Sequence, residues 1–496
     1  MSALGNDLVD KRLQGDASIR AKKYLNQDYE NLRSQCQKQR KLFCDPHFPA
    51  EPRSLGLNEL GPDSVKTKGV EWKRPGELCS KPQFIIGGAT RADICQGNLG
   101  DCWLMAAIAS LTLEKDLLAR VIYPEQNFTD KYAGIFHFQL WQYGEWVDVV
   151  VDDRLPTRKG KLLFVKSAAE NEFWSPLLEK AYAKVNGCYE NLIGGFSSEA
   201  HEDFTGGIAE CYTLRKAPVN LFNIIKKALS RGSLLSTSIS ASAEEKEAVT
   251  KECLVKTHAY SITDAKQVQV CKSPVELVRL RNPWGHMEWS GAWSDRSKEW
   301  DQVSPEDKAK LVYSADDGEF WMTYADYIQR YSKLEICNLT PDTPCDDNLG
   351  CWNSSQFEGA WKVGTTAGGC CNFPAKFCTN PQFRVKLDTD SQCDKQCSVL
   401  VALMQKDARQ AKQKGFKGYS IGFYIYKSHC VLQYKGKPDV CLLPDDLRRP
   451  VAKSDFVKMR EVCQRFNLPL GEYVIVPATF ESNQEANFLL RVFSEK

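Results

Sequence analysis

The sequence predicts an α+β protein whose final part is an all-β sandwich, and three observations support this fold class. Residues 104–111 form an apolar run of helical composition, and residues 173–185 show a second helical pattern that ends at Asn186-Gly187. Alternating segments rich in β-branched and aromatic residues indicate strands before and after the second helix. From about residue 340 onward the chain consists of short strands and turns, which is typical of a sandwich.

The length of 496 residues indicates about three domains. We expect an N-terminal segment at 1–28, two halves of one core at 29–197 and 198–339, and the sandwich at 340–496. Residues 10–25 within the N-terminal segment could be helical, although a solvated tail is the favoured interpretation. The segment GGFSS at 194–198 is predicted to be a hinge between the two core halves.

Strands are predicted at several places along the chain. Residues 135–141 and 146–151 flank Tyr143-Gly144 and predict a hairpin. In the second half, residues 256–262 predict a strand that carries His258, and residues 278–281 predict another that ends at Asn282. Sandwich strands are expected at 383–387, 419–426 and 473–476.

Composition narrows the class of protein. The net charge of +2 gives no reason to expect a nucleic-acid partner. The first 28 residues lack the apolar core of a signal peptide, and no stretch reaches the roughly 18 apolar residues of a membrane span. We therefore expect a soluble, cytoplasmic protein in which most of the 20 cysteines are reduced thiols.

A nucleophile is predicted at Cys102, directly behind the polar, glycine-containing segment 96–101. In the first turn of a helix, unpaired N–H groups and the helix dipole stabilise a thiolate. Gln96 can offer its side-chain amide to an oxyanion, together with the backbone N–H of Cys102. The alternative is that Cys102 is a small buried hydrophobe, as many free cysteines are.

Two further residues favour the catalytic interpretation. His258 can serve as the base that a cysteine nucleophile needs, and Asn282 can fix the tautomer of its imidazole. The order Cys, His, Asn is that of papain-like peptidases, whose signature also places an aromatic residue, here Trp103, after the cysteine. The set predicts a papain-like two-part cysteine protease core.

Three motifs carry a resemblance to a known family: QGNLGDCW at 96–103, KTHAY at 256–260 and RLRNPWG at 279–285. Through them, and through WKRP at 72–75, GGATR at 87–91, EDFTGG at 202–207 and DGEFW at 317–321, the chain resembles the calpain cysteine peptidases. The resemblance runs from about Tyr29 to the end. It implies catalysis by Cys102, His258, Asn282 and Gln96, followed by a calpain-type β-sandwich.

The resemblance also implies calcium binding, which requires gathered carboxylates and carbonyls. The calpain site in the nucleophile half corresponds to Ile86, Gly88, Asp93 and Glu172. The site in the other half corresponds to Glu288, Asp295, Asp317, Glu319 and the carbonyl of Ala315. Without calcium the resemblance implies that the halves sit rotated, with Trp284 between Cys102 and His258, and that Ca²⁺ closes the site.

Some family features differ or are missing. The acidic loop of the sandwich corresponds to residues 388–395, which are short and only moderately acidic. Because no D-x-[DN]-x-[DN]-G loop occurs, pairing with a small regulatory subunit through a penta-EF-hand domain is not expected. A basic run could attract an anionic membrane surface, although a solvated hairpin is slightly favoured; it comprises Lys406, Arg409, Lys412, Lys414 and Lys417.

The predicted function is a calcium-dependent intracellular cysteine endopeptidase that makes limited cuts in protein substrates. Two alternatives stay open at this point. One is a catalytically silent calcium- or lipid-binding scaffold that retains a protease fold. The other is a transglutaminase-like acyl transferase, whose third catalytic residue would be an aspartate where Asn282 stands.

Overall fold

The computed structural model describes residues 21–245, 247–270, 273–311, 317–339, 352–388, 396–416, 418–427, 447 and 449–495. The chain divides into two compact units, residues 1–339 and 340–496. Among the described residues no helix is both long and apolar enough to cross a bilayer. Residues 10–25, for which a solvated tail is the favoured interpretation, lie mostly outside the described residues.

The first unit contains ten helices among its described residues. They span Tyr29–Gln39, Pro52–Leu55, Pro75–Leu78, Cys102–Leu111, Lys115–Ile122, Trp174–Val185, Ser197–Thr205, Leu221–Ser230, Pro305–Leu311 and Tyr324–Arg330. The helices predicted after Asp101 and at 173–185 are thereby confirmed.

Twelve strands are described in the same unit. They are β1 Lys22–Lys23, β2 Val70–Lys73, β3 Ile135–Gln142, β4 Glu145–Asp152, β5 Leu155–Arg158, β6 Lys161–Leu162, β7 Ile208–Thr213, β8 Leu234–Ser238, β9 Ala259–Val270, β10 Ser273–Arg281, β11 Glu319–Thr323 and β12 Lys333–Asn338. They form two three-stranded sheets, β1-β4-β3 and β2-β5-β6, and one six-stranded sheet, β11-β10-β9-β8-β12-β7.

The predicted hairpin at Tyr143-Gly144 is confirmed. Strands β3 and β4 pair antiparallel from Ile135 with Asp152 to Gln142 with Glu145. Both loop residues have positive φ, +49° at Tyr143 and +102° at Gly144, as a two-residue hairpin turn with the twist of its strands requires.

The helix Trp174–Val185 lies at the centre of the nucleophile half, and all twelve of its residues are buried. Its two lysines reach acidic partners: Lys180 Nζ lies 2.6 Å from Asp152 Oδ1, and Lys184 Nζ lies 2.7 Å from Asp45 Oδ2. Buried charges require such partners because removal from water is costly. The pairs fix this helix against strand β4 and the segment around Asp45.

The second unit is a sandwich of two four-stranded antiparallel sheets, so the predicted fold class is confirmed. Its strands are β13 Trp352–Trp361, β14 Phe383–Leu387, β15 Gln396–Gln405, β16 Ile421–Lys427, β17 Ala452–Lys453, β18 Glu461–Pro469, β19 Gly471–Thr479 and β20 Ala486–Glu495, with one helical turn at Pro374–Phe377. The sheet orders are β13-β20-β15-β18 and β14-β19-β16-β17. Apolar side chains of both sheets form one core cluster.

Two sequence features of this unit fall partly outside the described residues. Of the loop at 388–395, only Asp388 is described. Of the basic run, Lys417 is not described, and Lys406 forms an ion pair with Glu358 at 2.9 Å. All described cysteines of the chain are free thiols.

Candidate active site

The predicted nucleophile is the first residue of a buried helix. The helix begins at Cys102, as predicted, and its nine other residues are buried. The carbonyl of Asp101 accepts the N–H of Leu104 at 2.8 Å and so closes the first turn. A Cβ on Gly97 would lie 2.0 Å from the carbonyl oxygen of Phe164, so glycine is required where the loop passes this neighbouring backbone.

The thiol of Cys102 is protonated in this arrangement. Burial raises its pKa to about 11, although the backbone N–H of Ala259 donates a hydrogen bond to the sulfur and opposes the shift. The carboxylates of Asp101 and Glu247 raise the pKa further. The sequence-based expectation of a thiolate stabilised by the helix dipole is therefore wrong for this state, because desolvation outweighs the dipole.

His258 lies immediately before strand β9, so the strand predicted at 256–262 begins three residues too early. The preceding Thr257 has a φ of +51°, in the left-handed region that β-branched residues rarely adopt. Its N–H donates to the carbonyl of Ile239 at 2.8 Å, and its hydroxyl accepts the N–H of Glu247 at 3.1 Å. These contacts hold the strained backbone of Thr257 and fix the position of the His258 side chain that follows it.

Asn282 follows strand β10 directly, as predicted, and its amide has one defined orientation. Its Oδ1 accepts the N–H of Trp284 at 3.0 Å, and its Nδ2 donates to the carbonyl of Met287 at 3.1 Å. Oδ1 also lies 2.8 Å from Nε2 of His258. Because Oδ1 can only accept, Nε2 carries the proton, and Nδ1 of the neutral imidazole is left as an acceptor.

The imidazole is neutral. Burial lowers the pKa of His258 to about 4, although the hydrogen bond to Asn282 opposes the shift. The ring of Trp284 packs on the imidazole with centroids 4.8 Å apart. A neutral thiol and a neutral imidazole therefore face the cavity in this arrangement.

Cys102 and His258 line the same cavity, which has a volume of about 300 Å³. Its walls come from both predicted halves, including Gly194-Gly195, Ser238 and Glu335. Trp284 is not among the described residues that line it. The cavity is thus a cleft between the halves that exposes the nucleophile and the base to one bound group.

Direct hydrogen bonds join the two halves around this cleft. The N–H of Gln96 donates to the carbonyl of Pro283 at 3.0 Å, and Nη2 of Arg281 donates to the carbonyl of Ile94 at 3.2 Å. The Gln96 side chain donates from Nε2 to the carbonyl of Leu99 at 2.6 Å, and Gln96 does not line the cavity. Its predicted place in an oxyanion hole stays a prediction.

Comparison with known proteins identifies the family. Residues 43–338 match "Calpain family cysteine protease", and residues 357–493 match "Calpain large subunit, domain III". The chain is 56% identical over 485 residues to the calpain-2 catalytic subunit of Mus musculus, covering 96% of this chain and 69% of that protein. The chain belongs to the calpain family.

Other calpains give the same result. The human calpain-2 catalytic subunit is 54% identical over 485 residues, covering 96% of this chain and 69% of that protein. The calpain-1 catalytic subunit of Gallus gallus is 56% identical over 484 residues, covering 96% and 68%. Membership in the family makes this calpain a cysteine endopeptidase with protein substrates, so the transglutaminase and silent-scaffold alternatives are set aside.

The first predicted calcium cluster of this calpain brings two carboxylates together. Asp93 Oδ1 and Glu172 Oε2 both contact the hydroxyl of Ser167, at 3.3 and 2.7 Å. Glu172 also accepts the N–H of Ile86 at 2.6 Å. Burial, supplemented by the charge of Asp93, raises the pKa of Glu172 to about 7. Gly88 lies in the same loop with a φ of +103°.

The second predicted cluster is partly assembled. Glu288 Oε1 accepts the N–H groups of Asp317 at 3.1 Å and Gly318 at 2.9 Å. Burial raises the pKa of Glu288 to about 7, and the charges of Asp295 and Asp317 add to the shift. Ala315 lies outside the described residues.

Glu319 has a different role from the other acids of the second cluster. Its carboxylate is paired with Arg91 and with Arg279, each at 2.6 Å, and accepts the hydroxyl of Thr263 at 2.7 Å. The carboxylate is therefore engaged by protein cations. Arg91 belongs to the loop of Asp93, so this ion pair connects the two clusters.

Sequence reasoning missed three contributors to the site: Ser167, Arg91 and the N–H of Ala259. Ser167 lies 74 residues from Asp93, Arg91 lies 228 residues from Glu319, and Ala259 acts through its backbone. Their roles depend on tertiary packing. Among the described residues no group of three or more histidine, cysteine or acidic side chains is already spaced to hold a metal.

Proposed function

We propose that this calpain is a calcium-dependent endopeptidase that makes limited cuts in folded or partly folded proteins. Cys102 is the nucleophile, His258 the base and then the acid, and Asn282 the group that holds the imidazole. The observation that carries the catalytic part is the shared cleft, where the thiol and an imidazole with a fixed tautomer face one cavity.

The reaction begins when the Cys102 proton moves to Nδ1 of His258 and the thiolate attacks the scissile carbonyl carbon. Electrons of the C=O bond move to oxygen, and the backbone N–H of Cys102 with the Gln96 amide stabilises the oxyanion. The intermediate expels the amine, which takes the proton from His258. Water, activated by the same imidazole, then hydrolyses the thioester.

The resting cleft does not favour the first step. The pKa of the thiol is about 11 and that of the imidazole about 4, and each pKa unit corresponds to about 1.4 kcal/mol. Proton transfer in this arrangement is therefore uphill by several kcal/mol. A change that rehydrates or rearranges the cleft would stabilise the charged pair, and this supports a regulated enzyme.

The carboxylates suit a hard divalent cation. Asp93 and Glu172 with carbonyls of Ile86 and Gly88 would hold one ion. Glu288, Asp295, Asp317 and the carbonyl of Ala315 would hold a second, whereas the Glu319 carboxylate is committed to arginines. Calcium bound there would neutralise Glu172 and Glu288, whose charged forms are disfavoured by burial and by neighbouring carboxylates.

The Arg91–Glu319 ion pair supports communication between these clusters. Arg91 lies two residues from Asp93, and Glu319 lies two residues from Asp317. The Glu319 carboxylate is 2% exposed, so loss of its ion pair with Arg91 would destabilise this arrangement strongly. A rearrangement of one loop therefore changes the stability of the other. Such coupling lets an ion that binds one arrangement better shift the population toward it.

The test is hydrolysis of casein and of a fluorogenic peptide during a calcium titration, with EGTA at zero calcium. We expect activity only with calcium, discrete large casein fragments and no activity in Cys102→Ala. Full activity in EGTA would refute the calcium dependence, and none at saturating calcium would refute the peptidase.

A matched pair of variants tests the coupling. Arg91→Gln should raise the calcium concentration for half-maximal activity several-fold, because it breaks the link between the clusters. Arg53→Gln, which breaks an exposed pair with Glu51, should leave it unchanged. Equal calcium concentrations for half-maximal activity in the two variants would contradict the coupling. Cytoplasmic location and binding of the basic run to anionic membranes stay predictions.

A further inference from the structure

A buried acidic pair lies directly behind the predicted nucleophile. Asp101 precedes Cys102, and Glu179 lies in the helix Trp174–Val185; each is only 1% exposed. Their side chains are within hydrogen-bonding contact of each other. No lysine or arginine of the described part of the chain forms an ion pair with either.

Two touching carboxyl groups without a cation cannot both be ionised. Burial raises the pKa of Asp101 to about 7, and it raises the pKa of Glu179 well above its usual range. Glu179 is therefore the protonated member at neutral pH, with its oxygens 3.3 Å from the N–H of Val165. Asp101 Oδ2 has no hydrogen-bond donor otherwise, so the Glu179 proton satisfies it.

The other Asp101 oxygen is directed at Gln96. Nε2 of Gln96 lies 3.4 Å from Asp101 Oδ1, while its Oε1 is buried without a hydrogen-bond partner. An amide has a donor end and an acceptor end, and an oxyanion can use only the donor end. Two fixed acceptors, the Leu99 carbonyl at 2.6 Å and Asp101 Oδ1 at 3.4 Å, select the orientation in which Nε2 points toward the loop that carries the nucleophile.

We propose that Asp101 and Glu179 are a proton-sharing pair that positions Gln96 for oxyanion stabilisation. The proton on Glu179 keeps Asp101 an acceptor, and Asp101, together with the Leu99 carbonyl, keeps the Gln96 amide from rotating end for end. The inference rests on the proposed role of Gln96. Other titratable groups near the pair are Cys102 and Tyr189.

The test is a double-mutant cycle of Asp101→Asn with Gln96→Ala, measured as kcat and KM on a fluorogenic peptide in saturating calcium. An Asn side chain can donate to Gln96 Oε1 and so compete with the Leu99 carbonyl for the orientation of the amide. We expect Asp101→Asn to lower kcat at least tenfold with KM within twofold, since loss of an oxyanion donor costs about 10²–10³ in kcat. The double variant should be no slower than Gln96→Ala alone.

Iodoacetamide alkylation of Cys102 separates positioning from an effect on the thiol, because alkylation forms no oxyanion. The alkylation rate of Asp101→Asn should stay within threefold of the unmodified protein. Asp203→Asn is the matched control, since this equally buried carboxylate accepts the Tyr182 hydroxyl at 2.6 Å. It should lower thermal stability and leave kcat unchanged.

If Asp101→Asn does not fold, Glu179 gives a second measurement. Glu179→Leu removes the shared proton and should lower kcat, and Glu179→Gln, whose amide also donates, should recover most of that loss. Additive effects in the cycle, or equal losses in both Glu179 variants, would overturn the positioning role. The proposed peptidase would still stand in that case if the unmodified chain cleaves the peptide and Cys102→Ala does not.

Discussion

Replacement of Glu172 by glutamine is expected to stabilise this calpain in the absence of calcium. Burial raises the pKa of Glu172 to about 7 from an ordinary 4.5, and its carboxyl group lies against Asp93. Above pH 7 the ionised group therefore costs the folded state about 3 kcal/mol relative to the unfolded chain. Glutamine removes the charge and keeps an oxygen that can accept the N–H of Ile86.

The sign follows from proton linkage. The folded protein holds the Glu172 proton up to a higher pH than the unfolded chain, so this group favours folding at low pH. Its contribution is lost as the pH rises from about 4.5 through about 7. Glu172→Gln should therefore have little effect at pH 4.5 and raise the Tm in EGTA at pH 8 by roughly 6–12 °C, given 2–4 °C per kcal/mol in large domains.

Thermal unfolding at both pH values, with and without calcium, checks this expectation. Calcium should raise the Tm of the unmodified protein and have a much smaller effect on Glu172→Gln. Glu190→Gln is the matched control. Burial raises the pKa of Glu190, but the N–H groups of Leu60 and Asn58 donate to its carboxylate and hold the pKa below the usual range. This variant should therefore lose stability at pH 8. A decrease in Tm for Glu172→Gln in EGTA would refute the reasoning.

Three other predictions concern single side chains. Asn282→Ala should lower kcat about 100-fold in peptide hydrolysis at saturating calcium, because the imidazole loses the acceptor that fixes its tautomer. Lys184→Met should cost about 3 kcal/mol in urea unfolding, because it leaves the Asp45 carboxylate buried without its cation. Gly97→Ala should lower kcat at least tenfold, because the new Cβ would collide with the backbone of Phe164 and displace the nucleophile loop.

The lysine and glycine variants have matched controls. Lys66→Met removes the cation of an exposed pair with Glu59 and should cost less than 1 kcal/mol. A Cβ on Gly76 would meet no atom within 4 Å, so Gly76→Ala should preserve kcat. Peptide hydrolysis by Asn282→Ala at the unmodified rate, or equal effects in a variant and its control, would contradict the structural explanation.

Local patterns predicted much of the fold. The helix that begins at Cys102 was predictable because a polar, glycine-containing loop precedes a continuous apolar run. The hairpin at Tyr143-Gly144 was predictable because a glycine, which tolerates positive φ, stands between two alternating segments. The start of strand β9 was not, since Thr257 takes up a strained conformation that tertiary contacts impose.

The sequence by itself determined the fold class and the motifs around Cys102, His258 and Asn282. Residue type and spacing are enough to indicate where helices start, where strands alternate and which family motifs are present. The tertiary structure decided the protonation of the thiol, the tautomer of the imidazole, the commitment of Glu319 to two arginines and the contact between Asp101 and Glu179. These properties depend on burial and on partners distant along the chain. Desolvation and electrostatic pairing act through space, and no local pattern of residues specifies them.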